Sequence, residues 1–152
     1  MNESCYGNLK LFVDKYPHGV TWFRLKKHCA IIDKHLNPGE TIDYVIAGQL
    51  DDNPFSFFNT GVLAVTSQRL LVAQNRLLVG YKLSSITPDL YNDMQVDCGL
   101  IWGTLCIDTV KEKIYISNLD KSSLSEIETS ITTFMHEAKK KNEDNEEGKN
   151  ES

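Results

Sequence analysis

The chain has 152 residues, a length that suits one domain of ordinary size. Its hydrophobic content of 41% is enough to fill a core, and its charged fraction of 24% is that of a globular protein. A net charge of −5 excludes a domain built mainly to grip phosphate backbones, which would carry a stripe of lysine and arginine.

The opening MNESCYGNLK has neither a basic start nor a long apolar stretch, so it does not read as a signal peptide. No apolar run approaches the ~18–20 residues that a bilayer span requires. A soluble, cytoplasmic chain is the expectation. Cys5, Cys29, Cys98 and Cys106 form no CxxC pair. They read as reduced, inert thiols, with a Cys98–Cys106 disulfide as the alternative.

The first third is helical in pattern. Trp22, Leu25, Cys29, Ile32 and Leu36 recur at three-and-four spacing and share one helix face. Arg24, Lys27, His28, Lys34 and His35 fall largely on the opposite side. Pro17 and Gly19 punctuate the start, and Asn37-Pro38-Gly39 ends the helix. A shorter helix is expected over residues 8–15, with Leu9, Phe12 and Val13 as its apolar side.

From Glu40 the period changes to two. Residues 41–50 alternate as a strand, and Asp51-Asp52-Asn53-Pro54 makes a loop. A second strand is expected over 57–66, with Ser67-Gln68-Arg69 as a tight connection into a third over 70–74. Asn75-Arg76 then separates that strand from a fourth at 77–83, with Leu77, Val79, Tyr81 and Leu83 on one side. Thr87-Pro88 breaks the pattern, and strands follow at 94–98, 101–110 and 113–119. Seven short strands at roughly 8–12-residue intervals argue for an antiparallel barrel or sandwich.

One more helix follows, with Asp120 as its N-cap and Leu124, Ile127, Ile131 and Phe134 as its apolar stripe. Such a stripe suits the open end of a small, bent sheet, where it would cap the inward apolar side chains. Lysines 139–141 suit the C-terminal end of that helix. The polar stretch NEDNEEGKNES after them reads as disordered. The organisation expected is therefore an N-terminal helical segment (1–36), a barrel domain (37–138) and a disordered polar tail (139–152).

Three segments resemble the pleckstrin-homology (PH) superfold. LNPGETIDYVIAG at 36–48 places a Gly-Glu pair before the first strand. GVLAVTSQRLLVAQ at 61–74 sets a Thr-x-x-Arg turn between two apolar strands, and YKLSSI is similar to a lysine-containing strand that ends in isoleucine. With the terminal helix, in this order, they resemble the bacterial PH-like domains, most of all the YokE-like group. The resemblance implies a mostly β (α+β) fold, a seven-stranded antiparallel barrel or sandwich capped by a C-terminal helix. It also raises homo-oligomerisation as an option.

Thr66 and Arg69 of that turn have a physical role without any family. A hydroxyl at a strand end can satisfy free turn amides, and a guanidinium can bridge several acceptors, so the pair reads as a hairpin fixture. His18, His28, His35 and His136 make no HxH or HExxH pattern, and no Gly-rich phosphate loop, GxSxG or paired-acid motif is present. No catalytic, cofactor or metal site is expected.

Relatives that bind phosphoinositides do so with lysines and arginines around the first hairpin. Here that hairpin is GQLDDNPFSFFNTG, with two aspartates and no basic residue, so the resemblance does not carry lipid-headgroup binding with it. Its Phe55, Phe57 and Phe58 are candidates for a partner contact, against core packing as the alternative. Arg24, Lys27 and Lys34 form a candidate basic surface, against a merely solvated helix face. The functional expectation is a noncatalytic module that contacts another protein or its own copy. The alternative is peripheral membrane association through the basic helix and the hairpin aromatics.

Overall fold

The computed structural model describes residues 4–19, 23–53, 56 and 58–151. Helices α1 (Cys5–Lys15) and α2 (Leu25–His35) come first. Strands β1 (Ile42–Gln49), β2 (Thr60–Thr66), β3 (Leu70–Asn75) and β4 (Tyr81–Ile86) follow as an antiparallel meander. Strands β5 (Tyr91–Cys98), β6 (Gly103–Thr109) and β7 (Lys113–Leu119) form a second one, and helix α3 (Leu124–Asn150) ends the chain. The strand order is β4-β3-β2-β1-β7-β6-β5, which leaves β4 and β5 as edges.

The two meanders meet where Gln49 of β1 pairs with Ser117 of β7. Gly48 makes that crossing possible, because a Cβ there would lie 2.8 Å from the Ser117 carbonyl oxygen. Leu124, Ile127, Ile131 and Met135 of α3 are buried against the sheet, at roughly 1.5–3 kcal/mol each before ordering costs. Met135 is buried where the stripe anticipates Phe134, which is half-buried.

The N-terminal helices pack on the barrel, α1 against β1 and α2 against β3 and β2. That cover explains why β1 does not alternate. Val45, Ile46, Ala47, Gly48 and Gln49 are all buried in succession, one face by the barrel interior and the other by helices.

Several expectations change. The helix expected from Trp22 starts at Leu25, because Arg24 is left-handed (φ 57°) and cannot continue a helix backwards; Trp22 lies outside the described residues. His28 is not on the solvated side but buried beside Cys29, Ile31 and Ile32. Residues 77–79 are not strand, and β4 starts at Tyr81, after a turn closed by Arg76 N–H donating to the Gly80 carbonyl. Gly80 takes φ 77°, the one conformational signal of that turn. The strand expected over 94–98 begins earlier, at Tyr91, and the one over 101–110 is shorter, as β6. Cys106 pairs across the ladder with Gln95, three positions from Cys98, and both thiols are free.

α3 continues as helix to Asn150, past the boundary at 139 where a disordered tail is expected, with residues 142–151 exposed. Lys139 with Glu143 and Lys140 with Asp144 stand four apart, a spacing that supports an exposed helix. No helix among the described residues is long and apolar enough to cross a membrane.

Candidate binding surface at the open end of the barrel

α3 covers one part of the barrel, and the loops β1–β2, β3–β4 and β6–β7 gather around its uncovered mouth. The β3–β4 turn projects three consecutive aliphatic side chains into water. Leu77, Leu78 and Val79 are 54%, 91% and 81% exposed, and Phe58 of the β1–β2 loop is 71% exposed. Phe58 and Leu77 line one groove of about 430 Å³ with Asn59, Gln74, Asn75 and Arg76. A run of exposed apolar residues on a hairpin tip costs solubility, which makes this tip the candidate contact surface.

This tip is bolted to the helical segment. Arg24 Nη1 donates to Asn75 Oδ1 and to the Arg76 carbonyl, both at 3.0 Å. The Asn75 N–H donates to His28 Nδ1 at 2.7 Å, while His28 Nε2 donates to the Phe23 carbonyl at 2.9 Å. The Phe23 ring meets Phe58 edge-on, with centroids 5.4 Å apart. Burial holds the His28 pKa below its ordinary value; the Phe23 carbonyl opposes this and the Arg24 charge adds to it.

Beside the tip, a polar cleft of about 260 Å³ opens between β1–β2, β4 and β6–β7. Asp51, Asp52 and Glu112 face Lys82 and Lys113 there. Asp51 is already engaged, accepting from the Asn53 N–H at 3.0 Å and from Asn59 Nδ2 at 2.8 Å. The cleft lining thus sets three carboxylates against two lysines.

Among the residues singled out by sequence, Phe58 is at this surface, and Phe55 and Phe57 lie outside the described residues. Arg24 is half-buried and spent on the β3–β4 turn, so it does not extend a basic face; Lys27 and Lys34 are exposed. Thr66 and Arg69 lie elsewhere, at the β2–β3 turn. The Thr66 hydroxyl donates to Glu40 Oε1 at 2.6 Å and accepts from the Arg69 N–H at 3.0 Å. Arg69 donates to both Glu40 oxygens (3.0 and 3.1 Å), to Ser85 Oγ and to the His35 carbonyl. Burial raises the Glu40 pKa, but bonds from Arg69, the Asn37 N–H and Thr66 outweigh it and hold the carboxyl below its ordinary range.

Sequence reasoning reads Arg24 and His28 as solvated helix residues and Glu40 only as part of a Gly-Glu pair, and it misses their anchoring roles and the exposed 77–79 tip. Only Gly80 could have exposed the tip; nothing in the sequence pairs Arg24 or His28 with Asn75. No group of three or more histidine, cysteine, aspartate or glutamate side chains is placed to hold a metal among the described residues.

Two antiparallel meanders that meet at β1 and β7, a C-terminal helix against the sheet and a mouth of three loops define a PH-type binding barrel. The bacterial PH domain profile matches residues 36–133, and the chain belongs to that family. The match does not single out the YokE-like group. Two solved structures are similar. One is a protein with a pleckstrin-homology domain from Shewanella loihica, at 11% identity and a TM-score of 0.49, over 76% of this chain and 96% of that one. The other is a pleckstrin homology domain from Shewanella amazonensis, at 15% identity and a TM-score of 0.44, over 80% and 94%. No curated protein matches the chain.

Proposed function

We propose that the chain is a noncatalytic interaction module that docks a protein partner through the apolar mouth formed by Phe58, Leu77, Leu78 and Val79. The observation that carries this reading is the exposure of those four side chains on two adjacent loops. Aliphatic and aromatic groups at the centre of an interface, with polar groups around them, match the anatomy of protein contacts. The neighbouring carboxylates Asp51, Asp52 and Glu112 make a basic rim on the partner the favourable complement.

A second reading is peripheral membrane attachment. Arg76 and Lys82 flank the tip, and an apolar loop with cations at its base is also suited to an anionic bilayer surface. One experiment separates the two. Tagged protein and its Leu78→Ser/Val79→Ser variant, both shown folded by circular dichroism, are used for capture from native lysate and for sedimentation with phosphatidylserine vesicles. A protein retained by the parent and lost by the variant supports the first reading. Vesicle binding that vanishes in high salt, with no retained protein, replaces it with the second.

A further inference from the structure

Helices α1 and α2 pack as an antiparallel pair. The Cys5 N–H, at the start of α1, donates at 2.9 Å to Asp33 Oδ1 near the end of α2. Further along, α1 and the first turn of α2 enclose a groove of about 570 Å³. Tyr6, Leu9 and Val13 of α1 and Leu25 of α2 give it an apolar lining; Leu9 is fully buried and the other three partly so. Tyr6, Leu9, Lys10, Val13 and Asp14 stand at i, i+3, i+4, i+7 and i+8. They form one face of α1 that runs for about 12 Å, roughly two turns.

The rim of this groove carries the sign opposite to that of the whole chain. Lys10, Lys26 and Lys27 are exposed there in a protein of net charge −5, and Asp14 is the single lining carboxylate among the described residues. None of the three lysines forms an ion pair among those residues, and Lys26 Nζ lies 5.2 Å from the centroid of the Tyr6 ring. Arg24 also lines the groove, but its Nη1 is spent on Asn75 and Arg76. α2 adds to the positive field. No side chain caps its N-terminus, no acidic residue stands in its first turn, and Lys26 and Lys27 sit at the positive end of its dipole.

We propose that this groove docks an acidic amphipathic helix of a partner protein, which lies along α1 and α2 as a third helix. Apolar side chains at three-and-four spacing on that helix meet Tyr6, Leu9, Val13 and Leu25, and its flanking carboxylates meet the three lysines. The shape selects this occupant. The apolar groups lie on the floor and the lysines at the rim, so a flat anionic bilayer reaches the cations without covering the floor. A small anion likewise leaves the floor wet. A helix is a rod that reaches both, and a basic one is refused by like charge. The site stands independently of the mouth, where Asp51, Asp52 and Glu112 favour a partner of the opposite sign.

The probe is a synthetic helical peptide of about 18 residues with leucines on one face and glutamates on the other, beside the same peptide with lysines for glutamates. Each is titrated into the isotopically labelled full chain at about 0.05 M salt and followed by NMR. The glutamate peptide should shift the amides of Tyr6, Leu9, Val13 and Leu25 and bind roughly tenfold or more tighter than the lysine peptide. Its affinity should fall about tenfold at about 0.5 M salt. Lys10→Glu/Lys27→Glu alters exposed side chains only, and circular dichroism verifies its fold. That variant should weaken the glutamate peptide roughly tenfold or more and strengthen the lysine peptide. Equal affinity for the two peptides, or no shift in the groove with either, overturns the proposal. Shifts confined to Phe58 and residues 77–79 overturn it by assigning the binding to the mouth. Binding to phosphatidylglycerol vesicles with none to the glutamate peptide overturns it in favour of a membrane surface.

Discussion

The Asn75 N–H donates to Nδ1 of His28 at 2.7 Å, and that bond fixes the imidazole as its neutral Nε2–H tautomer. A residue of the N-terminal helical segment is thereby the acceptor for the last residue of β3, directly before the exposed turn. The helical segment is thus part of the frame that presents the mouth.

His28 makes that frame sensitive to acid. Its folded pKa is lowered, so the unfolded chain takes up the proton first as pH falls. The stabilisation is complete above the unfolded value of about 6.5 and is lost as pH drops through the lower folded value. Urea unfolding between about pH 8 and pH 5 should show stability falling with pH. His28→Gln should flatten that slope and cost about 1–3 kcal/mol at pH 8, since the Asn75 N–H loses its acceptor. An unchanged slope in the variant would remove His28 from this role.

Arg24 acts on the same turn from outside. Arg24→Ala removes the donors to Asn75 Oδ1 and the Arg76 carbonyl and leaves the core intact. Amide exchange at Asn75 and Arg76 should speed up roughly tenfold, as expected for about 1.4 kcal/mol of local stabilisation. Exchange in the centre of β2 should not change.

The Glu40–Arg69 pair at the other end is the strongest polar fixture of the barrel. The Glu40 side chain is fully buried and that of Arg69 only 15% exposed, so Arg69→Ala strands a carboxylate in the interior. A loss of about 3–5 kcal/mol is expected, a fall in Tm of roughly 10 °C or more. Arg69→Lys should recover only part of it, because an ammonium cannot serve Glu40, Ser85 and the His35 carbonyl together. Because Glu40's folded pKa is lowered, this contribution is present above about pH 4.5 and is lost as pH falls through the folded value.

How far these features are legible in the sequence depends on their range. β7 coincides with its expected bounds because a period of two runs between Glu112 and Asp120. β4 is found by the resemblance of YKLSSI and misplaced by periodicity, which reads Leu77, Val79, Tyr81 and Leu83 as one face of a strand. Those residues are a turn because Gly80 reverses the chain and Arg24 and His28 hold its base, and both arrive from about 50 positions earlier. His28 reads as polar and therefore outward, yet two backbone partners satisfy its ring in the core. Thr66 and Arg69 are visible as a local turn motif, but Glu40, which completes their bonds, is 26 and 29 positions away.

The exposed tip gives a prediction that separates stability from binding. Leu78 and Val79 contact mostly solvent, so Leu78→Ser/Val79→Ser should shift unfolding free energy by no more than about 0.5 kcal/mol. Binding should fall at least tenfold if these residues form the centre of a contact, since truncating a desolvated apolar anchor costs about 2 kcal/mol or more. Raising salt from about 0.05 to about 0.5 M screens Arg76, Lys82 and the carboxylates of the cleft but leaves apolar burial intact. Affinity for a protein partner, followed by calorimetry, should therefore move by only about threefold over that range. A collapse of affinity with salt would place the binding energy in the charges instead of in Leu78 and Val79.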